Sequence, residues 1–283
     1  MPYADTNGIT TYYEEAGPTG PGSGQSVVLI HGHGADLRLW DYQVPALQAA
    51  GFRVVRYDVR GHGKSSVPAA GYIWENYAAD LADLLGKNLG IEAAHLVGLS
   101  MGGGIALQYA LDFPQHVRSL VLVDSTLPGF DYSPEFTAEI EALVEAVRRE
   151  GPQAAFDRLW LSHPMFDGLR RFPDRFAFAR EMALAYPAAD YQEGAIPADY
   201  QPQVADRLAE IQVPALVVVG GKDIADFQLI AEIMAANLPQ ARKLVLPDCG
   251  HVSPLEAPEE FDEALIAFLW GVSSSSGAGA PTP

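Results

Sequence analysis

Six short, mostly apolar runs recur along the chain, and their spacing limits the folds that it can adopt. The runs are rich in Val and Leu, and they comprise Val27 to Ile30, Val54-Val55, His95 to Val97, Leu120 to Val123, Ala215 to Val219 and Lys243 to Leu246. Strands that are apolar at consecutive positions are typical of parallel sheets covered on both faces. Helix-length segments lie between several of the runs. We therefore predict an α/β fold, with a mostly parallel central sheet and flanking helices.

The dipeptide Asn7-Gly8 indicates how the fold begins. It lies between the segments Met1 to Ala4 and Ile9 to Glu15. Asn-Gly readily adopts the positive φ angles of a type I′ turn, which joins two antiparallel strands. The sequence therefore predicts an antiparallel hairpin ahead of the parallel strands.

A helical insertion is indicated between residues 127 and 201, where no convincing strand is present. Ser133-Pro134 is a typical helix start, and Gly151-Pro152 is a typical helix end. We predict that residues 1–126 and 202–272 form the core, and that residues 127–201, named the cap, are inserted between two halves of one sheet. Residues 273–283 include no large apolar side chain, so we predict a flexible tail there.

The charge balance excludes several classes of partner. The chain has 36 Asp and Glu residues against 18 Lys and Arg residues, so its formal net charge is −18. A field of that sign repels nucleic-acid phosphates and anionic lipid headgroups. We therefore expect neither a nucleic acid nor a membrane as a partner.

The sequence favours a protein that stays in the cell. No basic residue precedes Arg38, and the first apolar run, Val27 to Ile30, is too short for a signal peptide or a membrane span. The single cysteine, Cys249, cannot form an intrachain disulfide, which is compatible with a reducing compartment. We expect a soluble, cytoplasmic protein, and the residues indicate no particular oligomeric state.

The segment from His95 to Gly104 carries the most chemical information, because an apolar strand there meets G-x-S-x-G and then a helical stretch. A sharp strand-to-helix turn projects the serine, Ser100, above the sheet. The Met101 amide at the start of the helix has no intrahelical partner, so it can stabilise an oxyanion formed when Ser100 attacks a carbonyl. The glycine-rich loop His31 to Gly34 offers the His33 amide as a second donor.

A serine hydroxyl needs an adjacent base to act as a nucleophile, usually a histidine that is held by a carboxylate. Asp223 follows the apolar run that ends at Val219, and His251 follows the run that ends at Leu246. Both residues would lie at the carboxyl ends of parallel strands, at the same edge of the sheet as Ser100. The three side chains are therefore candidates for one catalytic site.

These residues resemble the α/β-hydrolase superfamily. Besides the HGHG loop, the GLSMGG turn and Gly250-His251, the segment Asp58 to Ser65 looks like that family's D-x-R-G-x-G-x-S stretch. The likeness extends over about Val27 to Trp270 and is weakest across the cap.

The resemblance implies a role for each candidate residue. The family's order of nucleophile, acid and base corresponds here to Ser100, Asp223 and His251. The amides of His33 and Met101 would form the oxyanion hole. No metal or organic cofactor is implied.

Other interpretations of single residues stay open. Asp124 follows the strand after the serine turn and is an alternative to Asp223, which we favour as the acid. His31 and His33 could be metal ligands, but the spacing supplies no third ligand, so we predict no metal site. A cap over a pocket presents apolar side chains to the substrate, and the candidates are Trp160, Met165 and Phe166.

The leading hypothesis is a serine hydrolase of the carboxylesterase or lactonase type, which cleaves a small-molecule ester or lactone through an acyl-enzyme intermediate. By resemblance, the same triad also serves carbon-carbon bond hydrolases and cofactor-free perhydrolases. The former often carry Asn before the nucleophile, where this chain has Leu99. A small-molecule-binding protein with an idle triad is an alternative of a different class.

An anionic substrate would need a cationic anchor. An enol-lactone dicarboxylate is one such substrate. The cap offers seven arginines for this role: Arg148, Arg149, Arg158, Arg170, Arg171, Arg175 and Arg180. We therefore rank lactonase activity alongside esterase activity.

Overall fold

An eight-stranded sheet forms the centre of the computed structural model, which describes residues 2–18 and 25–275. The strands are β1 (Tyr3–Thr6), β2 (Ile9–Ala16), β3 (Ser26–Ile30), β4 (Arg53–Tyr57), β5 (Ala94–Leu99), β6 (Val117–Val123), β7 (Ala215–Gly220) and β8 (Ala241–Leu246). Their order across the sheet is β1-β2-β4-β3-β5-β6-β7-β8. β1 pairs antiparallel with β2, and β2 with β4, whereas all other neighbours pair in parallel. The predicted mostly parallel sheet is confirmed.

The central strands are buried along their whole length, which explains why their sequences do not alternate between polar and apolar residues. Every residue of β3, β5 and β7 is buried. β8 lies at the edge of the sheet, and most of its residues are partly or fully exposed. Because β3 to β8 run in the same direction, their carboxyl ends meet at one edge, where open α/β sheets bind ligands.

The opening hairpin is also confirmed. Asn7 and Gly8 connect β1 to β2 with φ angles of 41° and 79°. Two positive φ angles are what a type I′ turn requires, and Asn-Gly adopts them at low cost.

Helices flank the sheet and form the cap. They are α1 (Gln43–Ala49), α2 (Trp74–Ala82), α3 (Met101–Asp112), α4 (Pro134–Glu150), α5 (Pro152–Ala155), α6 (Asp167–Arg170), α7 (Pro173–Ala185), α8 (Ala225–Asn237), α9 (Ser253–Glu256) and α10 (Pro258–Ser275). Short 3₁₀ or π-helical turns occupy Leu37–Trp40, Asp83–Asn88, Pro114–His116, Phe156–Trp160, Pro164–Phe166, Ala189–Tyr191 and Ala205–Glu210. Within the described residues, no helix has both the length and the apolar character that crossing a membrane requires.

The cap contains α4 to α7 and has a small apolar core of its own. The Ser133 hydroxyl accepts a hydrogen bond from the Phe136 amide (3.2 Å) at the start of α4, and Gly151, with a φ of 88°, follows its end. Both ends agree with the helix signals in the sequence. The core of the cap consists of Leu143, Ala146, Val147, Ala155, Phe156, Leu161, Ala183, Tyr186 and Ala188. The limits of the cap at residues 127 and 201 stay a prediction.

The final helix extends into the segment predicted to be a tail from residue 273. α10 continues to Ser275, and the Ser273 hydroxyl lies 2.8 Å from both the Leu269 carbonyl oxygen and Gln25 Oε1. These contacts hold the end of the helix against the segment before β3. The sequence shows only a run of serines here, so it does not predict them. Residues 276–283 of the predicted tail lie outside the described residues.

A buried ion pair anchors the loop after β4. Arg60 in this loop and Asp80 on α2 form two hydrogen bonds of 2.6 Å, and their side chains are only 5% and 3% exposed. Arg60 also donates to the Gly71 carbonyl oxygen (3.1 Å). Removal of one partner would leave the other charge buried without compensation.

We expect Asp80→Asn to lower the free energy of unfolding by about 3–5 kcal/mol, because the Arg60 cation stays buried and loses its counter-ion. Glu145→Gln is the matched control, since Glu145 and Arg149 are 78% and 63% exposed. An exposed pair contributes about 0–1 kcal/mol, so this control should unfold almost as the parent does. Urea unfolding followed by circular dichroism measures both variants, and equal losses would contradict the prediction.

Candidate active site

Ser100 lies in a strained turn between β5 and α3. Its backbone has a φ of 52° and a ψ of −115°, which is unusual for a residue with a side chain. The Ser100 amide donates to the Val123 carbonyl oxygen (2.9 Å), and the Gly103 amide donates to the Ser100 carbonyl oxygen (2.9 Å). These two bonds hold the strained turn in place at the carboxyl end of β5.

The glycines of G-x-S-x-G are required by the close approach of backbone segments. A Cβ atom on Gly98 would overlap the Gly102 carbonyl group, and a Cβ atom on Gly102 would overlap the Ile30 carbonyl group. Only glycine therefore allows β3, β5 and α3 to meet at this point, and the motif follows from the geometry of the turn.

A buried hydrogen bond joins His251 to Asp223. His251 follows β8, Asp223 follows β7, and the distance from His251 Nδ1 to Asp223 Oδ2 is 2.8 Å. Their side chains are 5% and 0% exposed. The second carboxylate oxygen, Oδ1, accepts from the Ile224 amide (2.7 Å). Because Nδ1 donates to a carboxylate, Nε2 is the basic atom of the neutral imidazole.

Opposing effects set the pKa of His251. Burial lowers it, but the negative charge of Asp223 and its hydrogen bond act in the other direction, with a further contribution from the charge of Glu256. The carboxylates prevail, and the pKa of His251 is raised above its ordinary value of 6.5. The imidazole is therefore a stronger base than a solvated histidine.

Two groups hold the loop of His251 by its backbone. Glu256 accepts hydrogen bonds from the amides of Gly250 (2.8 Å) and Val252 (3.1 Å), the two neighbours of His251. The Met165 carbonyl oxygen accepts from the His251 amide (3.2 Å). His251 is thus fixed both at its ring and along its main chain.

Asp124, the alternative acid, has other partners. Its Oδ1 accepts from the Gly220 amide (2.7 Å), and the Ser253 hydroxyl lies 2.7 Å from its Oδ2. Burial, together with the nearby charge of Asp223, raises the pKa of Asp124 to about 8. The carboxyl group is therefore mostly protonated at neutral pH, and it joins the end of β7 to the start of α9. Of the two candidate acids, the structure brings Asp223 to His251.

Two adjoining cavities, the main cavity of about 480 Å³ and the small cavity of about 40 Å³, lie beside these residues. Ser100, His251, His33 and Trp160 line both of them. Met101, the other residue predicted for the oxyanion hole, also lines the main cavity. The serine turn, the histidine loop and the glycine-rich loop after β3 therefore face a common space.

The structure places the three cap residues predicted for the pocket differently from one another. Trp160 lines both cavities, and Phe166 lines the small cavity. Met165 lines neither, because its turn, Pro164–Phe166, buries this side chain in the core, where it is 1% exposed. The structure does not support Met165 as a pocket side chain, and its contact with the site is the carbonyl bond to the His251 amide.

Some residues of the site are missing from the sequence-based prediction. Glu256 has a weak signal, since it is an acid among buried residues five positions after His251. Asp190 and Tyr191, which line the main cavity, lie in the cap turn Ala189–Tyr191. No pattern in the sequence marks these two, because their position depends on how the cap folds over the sheet.

The histidines of the HGHG loop have partners within the protein. The Val59 amide donates to His31 Nε2 (3.0 Å), and His31 Nδ1 lies 2.8 Å from the Gly32 carbonyl oxygen. His33 Nδ1 lies 3.7 Å from Asp190 Oδ2. Within residues 2–18 and 25–275, no group of three or more His, Cys, Asp or Glu side chains is arranged to hold a metal ion.

Comparisons with known proteins agree with this fold. A family model described as alpha/beta hydrolase fold matches residues 25–258. The dihydrolipoyllysine-residue acetyltransferase component of the acetoin cleaving system of Cupriavidus necator is 34% identical over 95% of this chain and 69% of that protein. The structure of the enol-lactonase from Burkholderia xenovorans LB400 has a TM-score of 0.83 and 30% identity, over 95% of this chain and 100% of that one. The structure of a thermophilic esterase from Thermogutta terrifontis has a TM-score of 0.80 and 30% identity, over 96% of this chain and 97% of that one.

Asp223→Asn should slow the reaction of Ser100 with a fluorophosphonate by about 10³-fold or more, because the imidazole loses the charge that orients and activates it. Asp124→Asn is the matched control. It replaces a carboxyl group that is already neutral at pH 7, so its rate should stay within about threefold of the parent. The second-order rate of covalent labelling measures both, and slowing in Asp124→Asn alone would assign the role of the acid to Asp124.

Proposed function

The chain belongs to the alpha/beta hydrolase fold family, and on that premise we propose that it is a serine hydrolase that cleaves a carboxylic ester or lactone. The observation that carries the proposal is the 2.8 Å hydrogen bond between His251 and the buried Asp223, since His251 shares both cavities with Ser100. Similar structures described as an esterase and as an enol-lactonase support the same class of reaction for this chain.

In the proposed first step, Ser100 Oγ attacks the carbonyl carbon while His251 Nε2 takes the hydroxyl proton. Asp223 stabilises the imidazolium that forms, and the His33 and Met101 amides stabilise the oxyanion. The tetrahedral intermediate then collapses. The ester oxygen leaves with the proton from His251, and the acyl group stays on Ser100.

In the second step, water attacks the acyl-enzyme while His251 takes one of its protons. Collapse of the second tetrahedral intermediate returns the proton to Ser100 Oγ and releases the carboxylic acid. A lactone follows the same steps, except that its leaving oxygen stays attached to the acyl group. Neither step requires a metal or an organic cofactor.

The position of Met101 supports its role in this scheme. Met101 is the first residue of α3, so its amide has no acceptor within the helix. The N-terminus of a helix also carries a partial positive charge that favours a developing oxyanion. Cys249, by contrast, is a poor nucleophile, because burial raises the pKa of its thiol to about 12.

Ser100→Ala should lower kcat for p-nitrophenyl butyrate by at least about 10⁴-fold, because it removes the hydroxyl group that forms the acyl-enzyme. Ser162→Ala is the matched control, since Ser162 is exposed on the cap and lines neither cavity. Release of p-nitrophenol measures the rate, and circular dichroism checks the fold.

Two results would contradict the proposal. One is a Ser100→Ala protein that is as active as the Ser162→Ala control. The other is a parent protein that hydrolyses no ester or lactone and gains no fluorophosphonate adduct at Ser100, which would favour a binding protein with an idle triad.

The kcat/KM for the same ester should fall as the pH decreases, because a protonated His251 cannot accept the Ser100 proton. Burial lowers the pKa of His251, but the charge of Asp223 and its hydrogen bond raise it above 6.5, so the base is active only above that raised pKa. The midpoint of the acid limb should therefore lie above pH 6.5. Rates between about pH 5 and pH 9 measure it. Circular dichroism at each pH excludes unfolding, and a rate that stays flat down to pH 5 would rule out His251 as the base.

A further inference from the structure

The wall of the main cavity has two acidic side chains and, among the described residues, no Lys or Arg. Asp190 and Glu141 line the main cavity, and no described Lys or Arg lines either cavity. The histidines do not reverse this balance. Burial lowers the pKa of His33, and His251 is neutral when it acts as the base. The wall therefore carries a negative charge.

Asp190 is held at the wall by its neighbours. The Tyr186 hydroxyl donates to Asp190 Oδ1, and His33 Nδ1 lies 3.7 Å from Asp190 Oδ2. The Asp190 side chain is only 10% exposed. Burial and the charge of Asp190 together raise the pKa of Tyr72, on the same wall, to about 12. A negative group placed beside Asp190 would meet repulsion that solvent screens weakly.

The cap arginines do not compensate for these acids. Arg148, Arg170, Arg171 and Arg175 donate to backbone carbonyl oxygens, and Arg149, Arg158 and Arg180 pair with carboxylates. Arg175, for example, donates to the carbonyl oxygens of Leu255 (2.9 Å) and Glu256 (3.0 Å). None of the seven lines either cavity. The cationic anchor that the sequence offered for an anionic substrate is therefore not at the cavity.

Aromatic rings form much of the remaining wall. They include Trp74, Tyr77, Tyr132, Phe136, Tyr191 and Phe227. Rings of this kind pack against aromatic and bulky apolar groups, and their faces attract cations. The volume of about 480 Å³ is in the range of cavities that hold small organic ligands.

We propose that the main cavity selects esters or lactones whose aromatic or bulky apolar group is uncharged or cationic, and rejects those that carry a carboxylate there. The inference rests on the proposed acyl transfer at Ser100 and extends it to a class of substrate. A substrate carboxylate would lose hydration and meet Asp190 and Glu141 without a counter-charge. A quaternary ammonium group would meet both acids and the ring faces.

The test uses p-nitrophenyl esters of 3-phenylpropanoic acid. The phenyl ring of the acid carries a variable para substituent. Isopropyl and carboxylate have similar sizes, as do tert-butyl and trimethylammonio, so each pair differs mainly in charge. We expect kcat/KM for the carboxylate ester to be at least about 100-fold below that for the isopropyl ester. The trimethylammonio ester should be within about tenfold of the tert-butyl ester. Equal values in the first pair would overturn the inference, and so would a trimethylammonio ester as slow as the carboxylate ester.

Variants of the two acids test the cause of the selectivity. The double variant Asp190→Asn/Glu141→Gln should lower the isopropyl-to-carboxylate ratio of kcat/KM at least about tenfold, and this ratio cancels any general loss of activity. Glu145→Gln is the matched control, because Glu145, like Glu141, is exposed on α4 but lines neither cavity. Its ratio should not change. An unchanged ratio in the double variant would overturn the inference.

Failure of the proposed function can be distinguished from failure of the selectivity. p-Nitrophenyl acetate carries no ionic group, so its hydrolysis reports the chemistry at Ser100. If it is hydrolysed while the carboxylate and isopropyl esters react equally fast, only the selectivity is wrong. If no ester is hydrolysed, the corresponding amides test the cavity without turnover. Their binding is measured by the quenching of tryptophan fluorescence, to which Trp74 and Trp160 at the cavity contribute. Weaker binding of the carboxylate amide would support the inference, and equal binding would overturn it.

Discussion

The shared direction of the parallel strands is the constraint on which the candidate site depends. Ser100, Asp223 and His251 lie far apart in the sequence, but each follows a strand, β5, β7 or β8, whose carboxyl end lies at the same edge. Reversal of one strand would move its residue to the opposite edge of the sheet. The cap follows β6, so it too begins at this edge and covers the residues that the other strands bring there.

The two buried acids near His251, Asp223 and Asp124, have different contacts, and these contacts give them different chemical roles. Two carboxylates close together in a poorly solvated region repel each other, so one of them is protonated more easily and its pKa rises. Asp223 contacts an imidazole that can become positive, whereas Asp124 contacts an amide and a hydroxyl. Burial, together with the nearby charge of Asp223, raises the pKa of Asp124 to about 8, whereas Asp223 is the acid that contacts the base.

Much of this could be predicted from the sequence, because local patterns carry it. The hairpin at Asn7-Gly8, the apolar strands and the serine turn each require particular residues at adjacent positions. The sequence favoured Asp223 over Asp124 only through the family resemblance, since both residues follow parallel strands at the same edge and the tertiary structure determines which one meets His251. Met165 was predicted as a pocket residue because a cap over a pocket presents apolar side chains to the substrate, but the direction of a side chain in a short 3₁₀ turn depends on packing.

The excess of acidic residues in the sequence also affects the charge at the main cavity. The chain has 36 acidic residues and 18 basic ones, and none of the cap arginines lines a cavity; Arg180, for example, pairs with Asp157. A guanidinium turned into the cavity would give up that partner and its hydration to sit among aromatic rings. The same excess creates a long-range field that repels anions before they reach the cavity. The local wall, with Asp190 and Glu141, and the net charge of the chain therefore act in the same direction, and both oppose an anion at the cavity.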